Sequence, residues 1–136
     1  MNDFIQLLKS KELKATPQRI SVLKELDKKT HPTIDDLYDS LKKENPSMSL
    51  ATVYKNLAML KEKGVVIEVN VADGKMRYDI YSKPHIHVVC SSCGAIEDSD
   101  YDQNLFDYQA ALEEKQKIHI LRMDVIASVS HCRFCK

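Results

Sequence analysis

No run of apolar residues in this chain approaches the 18 or so that a membrane-spanning helix requires, so no membrane association of that kind is expected. The opening segment, MNDFIQLLKSKELK, lacks a basic stretch followed by an apolar one. No export signal is therefore expected, and a cytoplasmic location follows by default. Net charge is absent too, because 20 Lys+Arg balance 20 Asp+Glu. There is no internal repeat, no low-complexity tract and no patterned catalytic nucleophile, so the chain does not read as an enzyme. With 43% hydrophobic and 29% charged residues, global disorder is excluded and a core can form. The 136 residues suit one domain or two very small ones.

The first half reads as helices followed by a hairpin, and the segments can be placed by their end signals. Phe4, Ile5, Leu7 and Leu8 suggest a short first helix. Thr16-Pro17 is an N-cap followed by proline at the first helical position, with Ile20, Val22, Leu23 and Leu26 as the apolar stripe. Thr33 with Asp36 three residues later starts another helix, in which Ile34, Leu37, Tyr38 and Leu41 have helical spacing. Asn45-Pro46-Ser47 breaks it. Ser49 caps a helix over 50–63, expected to bury Leu50, Val53, Leu57 and Leu60 and to stop at Gly64. Beyond Gly64 the pattern turns β-branched: Val65–Val71, an Asp73-Gly74 turn signal and Met76–Tyr81 predict a hairpin. Three helices with a short connection before the last, then a hairpin, is the order of a winged helix-turn-helix, whose second helix enters the major groove. A mild basic bias (Lys9, Lys11, Lys14, Arg19, Lys24, Lys28 and Lys29 against Glu12, Glu25 and Asp27) agrees but is weak evidence for nucleic acid by itself.

Ser82-Lys83-Pro84 reads as a joint. The predicted organisation is α+β: a winged-helix DNA-binding domain over 1–82 and a small α+β domain over 83–136, for which the family resemblance given below implies dimerisation and metal binding. In the second domain, His87–Cys90 and Ala95–Asp98 are strand candidates, Asp102–Lys117 a helix, and Ile118–Ser130 one long strand or two short ones. A unit this small is commonly stabilised by a metal or by oligomerisation.

All four cysteines fall into two CxxC pairs, Cys90/Cys93 and Cys132/Cys135. A reducing compartment argues against disulfides. Four thiolates in two knuckles suit a closed tetrahedral zinc site. Spacing alone leaves an iron–sulfur or rubredoxin-like centre open, and a thiol redox or electron-transfer protein is a further reading, although the βαβ setting of a redox CxxC is missing. His85 and His87 alternate onto one face of a strand just before the first knuckle. Asp79, Asp98 and His31 supply further nitrogen and oxygen donors. Such a set, without thiolate, suits iron, manganese, nickel or zinc. His119 and His131 have no patterned partner.

The order of these pieces resembles the ferric uptake regulator superfamily over essentially the whole chain. The strings that carry the resemblance are Thr16-Pro17-Gln18-Arg19, His31-Pro32-Thr33, Ser49 through Leu57, the HxH before Cys-x-x-Cys-Gly, and the terminal CxxC. The resemblance implies a homodimeric, metal-dependent transcriptional repressor with structural zinc at Cys90, Cys93, Cys132 and Cys135. It also implies a regulatory iron(II) or manganese(II) held by His31, Asp79, His85, His87 and Asp98. Within the superfamily the chain is most similar to the peroxide-stress branch. Ile86 stands between the histidines where many iron-uptake regulators have an acid, and Asp98 where those commonly have glutamate. Asp124 replaces a further histidine ligand of many members, which argues against a third metal site. In that branch, iron-catalysed oxidation of a ligand histidine by hydrogen peroxide, here His31 or His85, releases DNA. An iron- or zinc-uptake repressor would share all but this last chemistry.

For DNA, the helix 50–63 is expected to turn Thr52, Lys55 and Asn56 outward, with Tyr54 bordering that face. In the superfamily a tyrosine there touches base methyls. Lys55 stands where arginine is frequent, so a contact survives without the rigid bidentate fork. Lys14, ahead of the second helix, is placed to reach the minor groove of an A/T-rich inverted repeat.

Overall fold

The structure, a computed structural model, describes residues 2–71, 74–81 and 83–135. The chain divides into two compact units, residues 1–82 and 83–136. In the first unit four helices, α1 (Asn2–Ser10), α2 (Pro17–Leu26), α3 (Ile34–Glu44) and α4 (Leu50–Glu62), precede strands β1 (Val66–Asn70) and β2 (Met76–Ile80). Each helix start after α1 is built by the residue its sequence signal named. Thr16 accepts from the Arg19 N–H ahead of Pro17. Thr33 and Asp36 form a reciprocal capping box, and Ser49 accepts from the Thr52 N–H. Caps of this kind are each worth about 1 kcal/mol.

Helix α4 ends in a Schellman turn. Gly64 takes φ +75°, its N–H donates to the Lys61 carbonyl at 3.0 Å, and the Val65 N–H donates to the Leu60 carbonyl at 2.9 Å. The chain leaves that turn directly into β1, which pairs antiparallel with β2 in a register placing Val66 opposite Ile80 and Ile67 opposite Asp79. The predicted Asp73-Gly74 turn lies partly outside the described residues, at 72 and 73. Gly74 itself has φ +77°, and its N–H donates to the Val71 carbonyl at 3.1 Å.

The helical stripes close over one core. Leu8, Val22, Leu23, Leu26, Leu37, Leu41, Val53, Leu57, Leu60, Val65, Val66 and Ile80 are buried together, each contributing about 1.5–3 kcal/mol of burial for a side chain of this size. One expectation is corrected here. Leu50 is 37% exposed, because it opens α4 and the first turn of that helix projects past the core that Val53, Leu57 and Leu60 fill.

The second unit has strands β3 (His85–Cys90) and β4 (Ile96–Asp100), helix α5 (Gln103–Gln116) and strand β5 (Ile126–Val129). The sheet order is β4-β3-β5, with β3 antiparallel to β4 and parallel to β5. Asp102 caps α5, and Lys117 closes it in the left-handed conformation. One expectation changes. Of Ile118–Ser130, expected as one long strand or two short ones, only Ile126–Val129 is a strand; just ahead of it the Val125 carbonyl still accepts from the His87 N–H of β3 at 3.1 Å. The apolar residues of α5 form no buried stripe: Phe106 is 43% and Tyr108 60% exposed, and Ile118, Leu121 and Ile126 nearby are exposed too.

Candidate metal centres and nucleic-acid interface

The parallel pairing of β3 with β5 assembles the cysteines. Both strands run the same way, with Cys90 opposite Val129, so both chain segments emerge at one edge of the sheet. After β3 the chain makes a tight turn in which the Gly94 N–H donates to the Cys90 carbonyl at 2.9 Å and the Cys90 N–H to the Ala95 carbonyl at 3.0 Å. Gly94 takes φ +78°, a conformation strained for other residues. After β5 a second turn carries Cys132 and Cys135, with the Cys135 N–H on the Cys132 carbonyl at 3.1 Å. All four Sγ atoms lie within 4.8 Å of one another.

Cys90 and Cys135 sulfurs are 3.4 Å apart, Cys93 and Cys132 3.4 Å, and Cys132 and Cys135 3.8 Å. A disulfide needs about 2.05 Å, and all four thiols are free. A tetrahedron with zinc–sulfur bonds of about 2.3 Å has edges of about 3.8 Å, so these separations fit one metal at the centre. The electrostatics agree. The backbone N–H of Cys93, with that of Ser92 and the neighbouring sulfurs, brings the Cys90 thiol down to about 6 against burial. Burial raises Cys132, opposed by the Phe134 N–H. At Cys135 the Cys132 N–H lowers, while burial and the other sulfurs raise, and the thiol is pushed up to about 12. Four thiolates this close do not all ionise unaided, and a divalent cation at their centre removes that obstacle.

A second donor group lies on the same sheet. His85 and His87 project to one side of β3, as a period of two requires, with their Nε2 atoms 3.1 Å apart. Register places His87 opposite Asp98 on β4. Asp98 Oδ1 is 3.4 Å from His87 Nε2 and 3.8 Å from His85 Nε2. His85 Nδ1 lies 3.0 Å from the Lys83 carbonyl, which orients the ring so that Nε2 faces the carboxylate.

In the first unit, His31 and Asp79 meet. The turn after α2 is left-handed at Lys29 (φ +61°) and at His31 (φ +49°). The Tyr78 N–H then donates to the Pro32 carbonyl at 2.9 Å, stapling this turn beside β2. His31 Nε2 comes to 3.5 Å from Asp79 Oδ2, and both side chains are buried. Asp79 also pairs with Lys29, whose Nζ is 3.3 Å from Oδ1. Lys29 belongs to no sequence motif; in the sequence it counts only among the mildly basic residues, two positions before His31. Imidazole and carboxylate with no sulfur form the donor chemistry of iron, manganese or zinc in each group.

On α4, Tyr54 is 53% exposed and Lys55 is exposed. Thr52 and Asn56 are half-buried rather than fully outward. The Thr52 hydroxyl pairs with that of Ser49 at 2.8 Å, and Asn56 Nδ2 donates to the Thr52 carbonyl at 3.0 Å. A groove of about 460 Å³ beside Tyr54 is lined by Lys75, Arg77 and Tyr78 of the hairpin and by Asp35 and Asp36 of α3, with Arg77 Nη1 3.9 Å from Asp36 Oδ2. These two basic residues were not singled out from the sequence, although they flank Met76 in the predicted wing. Lys14 is exposed, and Arg19 Nη1 holds its carbonyl at 3.0 Å. His119, outside both donor groups, faces Glu113 at 3.3 Å, and Asp124 is engaged by Arg122 at 2.7 and 3.1 Å.

A helix-turn-helix with a two-stranded wing, followed by a unit that gathers four cysteine sulfurs, defines a winged-helix regulator with candidate metal centres. The ferric uptake regulator family model matches residues 10–128, and the chain belongs to that family. It is 38% identical over 102 residues to the peroxide operon regulator of Bacillus subtilis, covering 74% of this chain and 70% of that protein. It is 39% identical over 104 residues to the peroxide-responsive repressor PerR of Staphylococcus saprophyticus, covering 76% and 70%. Among solved structures, the Campylobacter jejuni peroxide stress regulator superposes with a TM-score of 0.82 at 54% identity, over 96% of this chain and 98% of that one.

Proposed function

We propose that this protein is a dimeric, metal-dependent repressor that senses hydrogen peroxide by oxidation of a metal-ligand histidine. The observation that carries this reading is the division of donors. Every cysteine belongs to one four-sulfur group, so the remaining donors, His31, Asp79, His85, His87 and Asp98, form a set of nitrogen and oxygen only. Cys90, Cys93, Cys132 and Cys135 hold structural zinc, and the nitrogen–oxygen set holds a regulatory iron(II) or manganese(II). The peroxide regulators among its relatives support the choice of signal.

His31 and Asp79 belong to the unit that carries α4, and His85, His87 and Asp98 to the other. With the regulatory metal bound, a dimer presents two α4 helices to adjacent half-sites. By linkage, DNA binding then tightens metal binding by the same factor. The exposed Phe106, Tyr108, Ile118 and Leu121 of the second unit supply the apolar surface that a second copy would cover. Ferrous iron, when bound, would lend the electron that cleaves the peroxide O–O bond and regain it as the imidazole is oxidised, so that it acts as a catalyst. In net terms one peroxide oxygen enters the C–H bond at C2 of His31 or His85, the other leaves as water, and the imidazole gives up two electrons. The product, 2-oxo-histidine, is a poorer ligand, so the metal leaves and DNA is released.

Purified protein is expected to keep about one zinc per chain against a weak chelator and to need a second divalent ion for specific DNA binding. Specific binding that survives complete removal of that second ion would contradict a metal-dependent repressor. For DNA contact, Tyr54→Ala is expected to weaken operator binding by roughly tenfold while changing random-sequence binding little, because an exposed aromatic on α4 reads base edges rather than phosphate. Lys14→Ala should weaken A/T-rich sites most. Fluorescence anisotropy on operator and scrambled duplexes checks both, and equal losses on the two duplexes would reduce these side chains to generic contacts.

A further inference from the structure

We propose that Lys29 is a built-in counter-cation for Asp79 that competes with the regulatory metal for this carboxylate, and so sets the metal concentration at which the site fills. The proposal rests on the reading of His31 and Asp79 as ligands.

Asp79 has a side chain only 1% exposed. A carboxylate taken so far out of water needs positive charge beside it at all times, not only when a metal is bound. Lys29 brings that charge, with Nζ 3.3 Å from Oδ1, while His31 stands at the other oxygen, Oδ2, at 3.5 Å. The backbone is arranged for this. The Lys29 N–H donates to the Leu26 carbonyl at 3.0 Å as α2 ends. Left-handed φ values at Lys29 and His31 then turn both side chains onto the same carboxylate. Such conformations are uncommon for residues other than glycine and gather at functional sites.

The pairing is also reversible by design of its surroundings. The Lys29 side chain is 41% exposed, so its ammonium can return to water on its flexible stem when a divalent ion takes the carboxylate. Metal binding must therefore displace one positive charge, and the apparent affinity falls by the fraction of molecules in which the pair is closed. A lysine here makes the site answer to a higher metal concentration than its ligands alone would require. It also leaves the metal-free protein folded, with Asp79 compensated.

The test uses the full chain with its four-cysteine centre loaded, and measures manganese affinity from the free-ion signal in electron paramagnetic resonance. Lys29→Met keeps the aliphatic stem and removes the charge. It should bind manganese about three- to fivefold more tightly, the upper part of the range that loss of a partly exposed ion pair yields. Lys29→Arg, which retains the charge, should stay within about twofold of the natural chain. Melting gives a readout independent of affinity: Lys29→Met should melt lower than the natural chain when metal-free and level with it when manganese-loaded. Lys29→Gln replaces Lys29→Met should the latter fail to fold. Unchanged or weaker manganese binding in the folded charge-free variant overturns the proposal. Asp79→Asn separates this from the ligand reading. If Asp79→Asn loses manganese and Lys29→Met is unchanged, only the role of Lys29 falls. If Asp79→Asn binds as the natural chain does, the ligand reading falls with it.

Discussion

Cys93→Ser is expected to release the zinc, lower the melting temperature by roughly 10 °C or more and abolish the dimer. The second unit has little else to hold it. Its helix α5 buries no residue among those described, and Leu121 is 91% exposed. Beneath the four sulfurs, the two turns are joined to each other by few bonds, such as the Ser91 N–H to the Val129 carbonyl at 2.8 Å. Losing one thiolate from a tetrahedral site removes most of its affinity, and the binding free energy of a structural zinc is folding free energy. Once the turns part, β5 loses its anchor beside β3, and the surface offered to a second copy goes with it. Zinc content, circular-dichroism melting and sedimentation at micromolar protein check this together. A Cys93→Ser chain that remains a folded dimer with an unchanged melting point would show that the four-cysteine centre is dispensable.

The second large effect is chemical. Iron-loaded protein treated with hydrogen peroxide is expected to gain one oxygen atom on a peptide containing His31 or His85, and the manganese-loaded protein none. Asp98 is expected to decide how open the site is. Its Oδ1 stands 3.4 Å and 3.8 Å from the Nε2 atoms of His87 and His85, close enough for one oxygen to share a metal with both rings. A side chain one methylene longer reaches further across the same site and brings its second oxygen into range, filling the position that peroxide needs. Asp98→Glu should therefore still bind operator with iron and lose most of the histidine oxidation. Peptide mass spectrometry reads the added oxygen directly. Oxygen found only on cysteine or methionine would move the sensing chemistry away from the nitrogen–oxygen set and favour a metal-uptake repressor.

Much of this was legible in the chain itself, for identifiable reasons. Helix starts depend on one or two adjacent residues, so Thr16-Pro17, Thr33 with Asp36, and Ser49 could be read without tertiary information, and Gly64 marked the end of α4 because its left-handed φ favours that residue. The two CxxC pairs and the HxH were equally local. Non-local features were less readable. That Asp79 is buried rather than a solvated strand residue depends on its register with Ile67 and on the turn stapled beside it. The parallel pairing of β3 with β5 joins segments far apart in sequence, and an alternating stretch such as 118–130 does not reveal where pairing stops. Leu50 followed the helical stripe, yet the core ends before it does. Lys29 carries no motif, and its role is visible only once the turn after α2 is seen to aim it at Asp79.

Operator binding by the zinc-loaded protein carrying either iron(II) or manganese(II) in the second site, measured by anisotropy before and after hydrogen peroxide, tests peroxide-sensing repression most directly. Both forms should bind the operator at first. Peroxide should release DNA from the iron form alone, in step with the oxygen gained at His31 or His85, and leave the manganese form bound. Iron and manganese forms that respond alike to peroxide would contradict a sensor built on histidine oxidation.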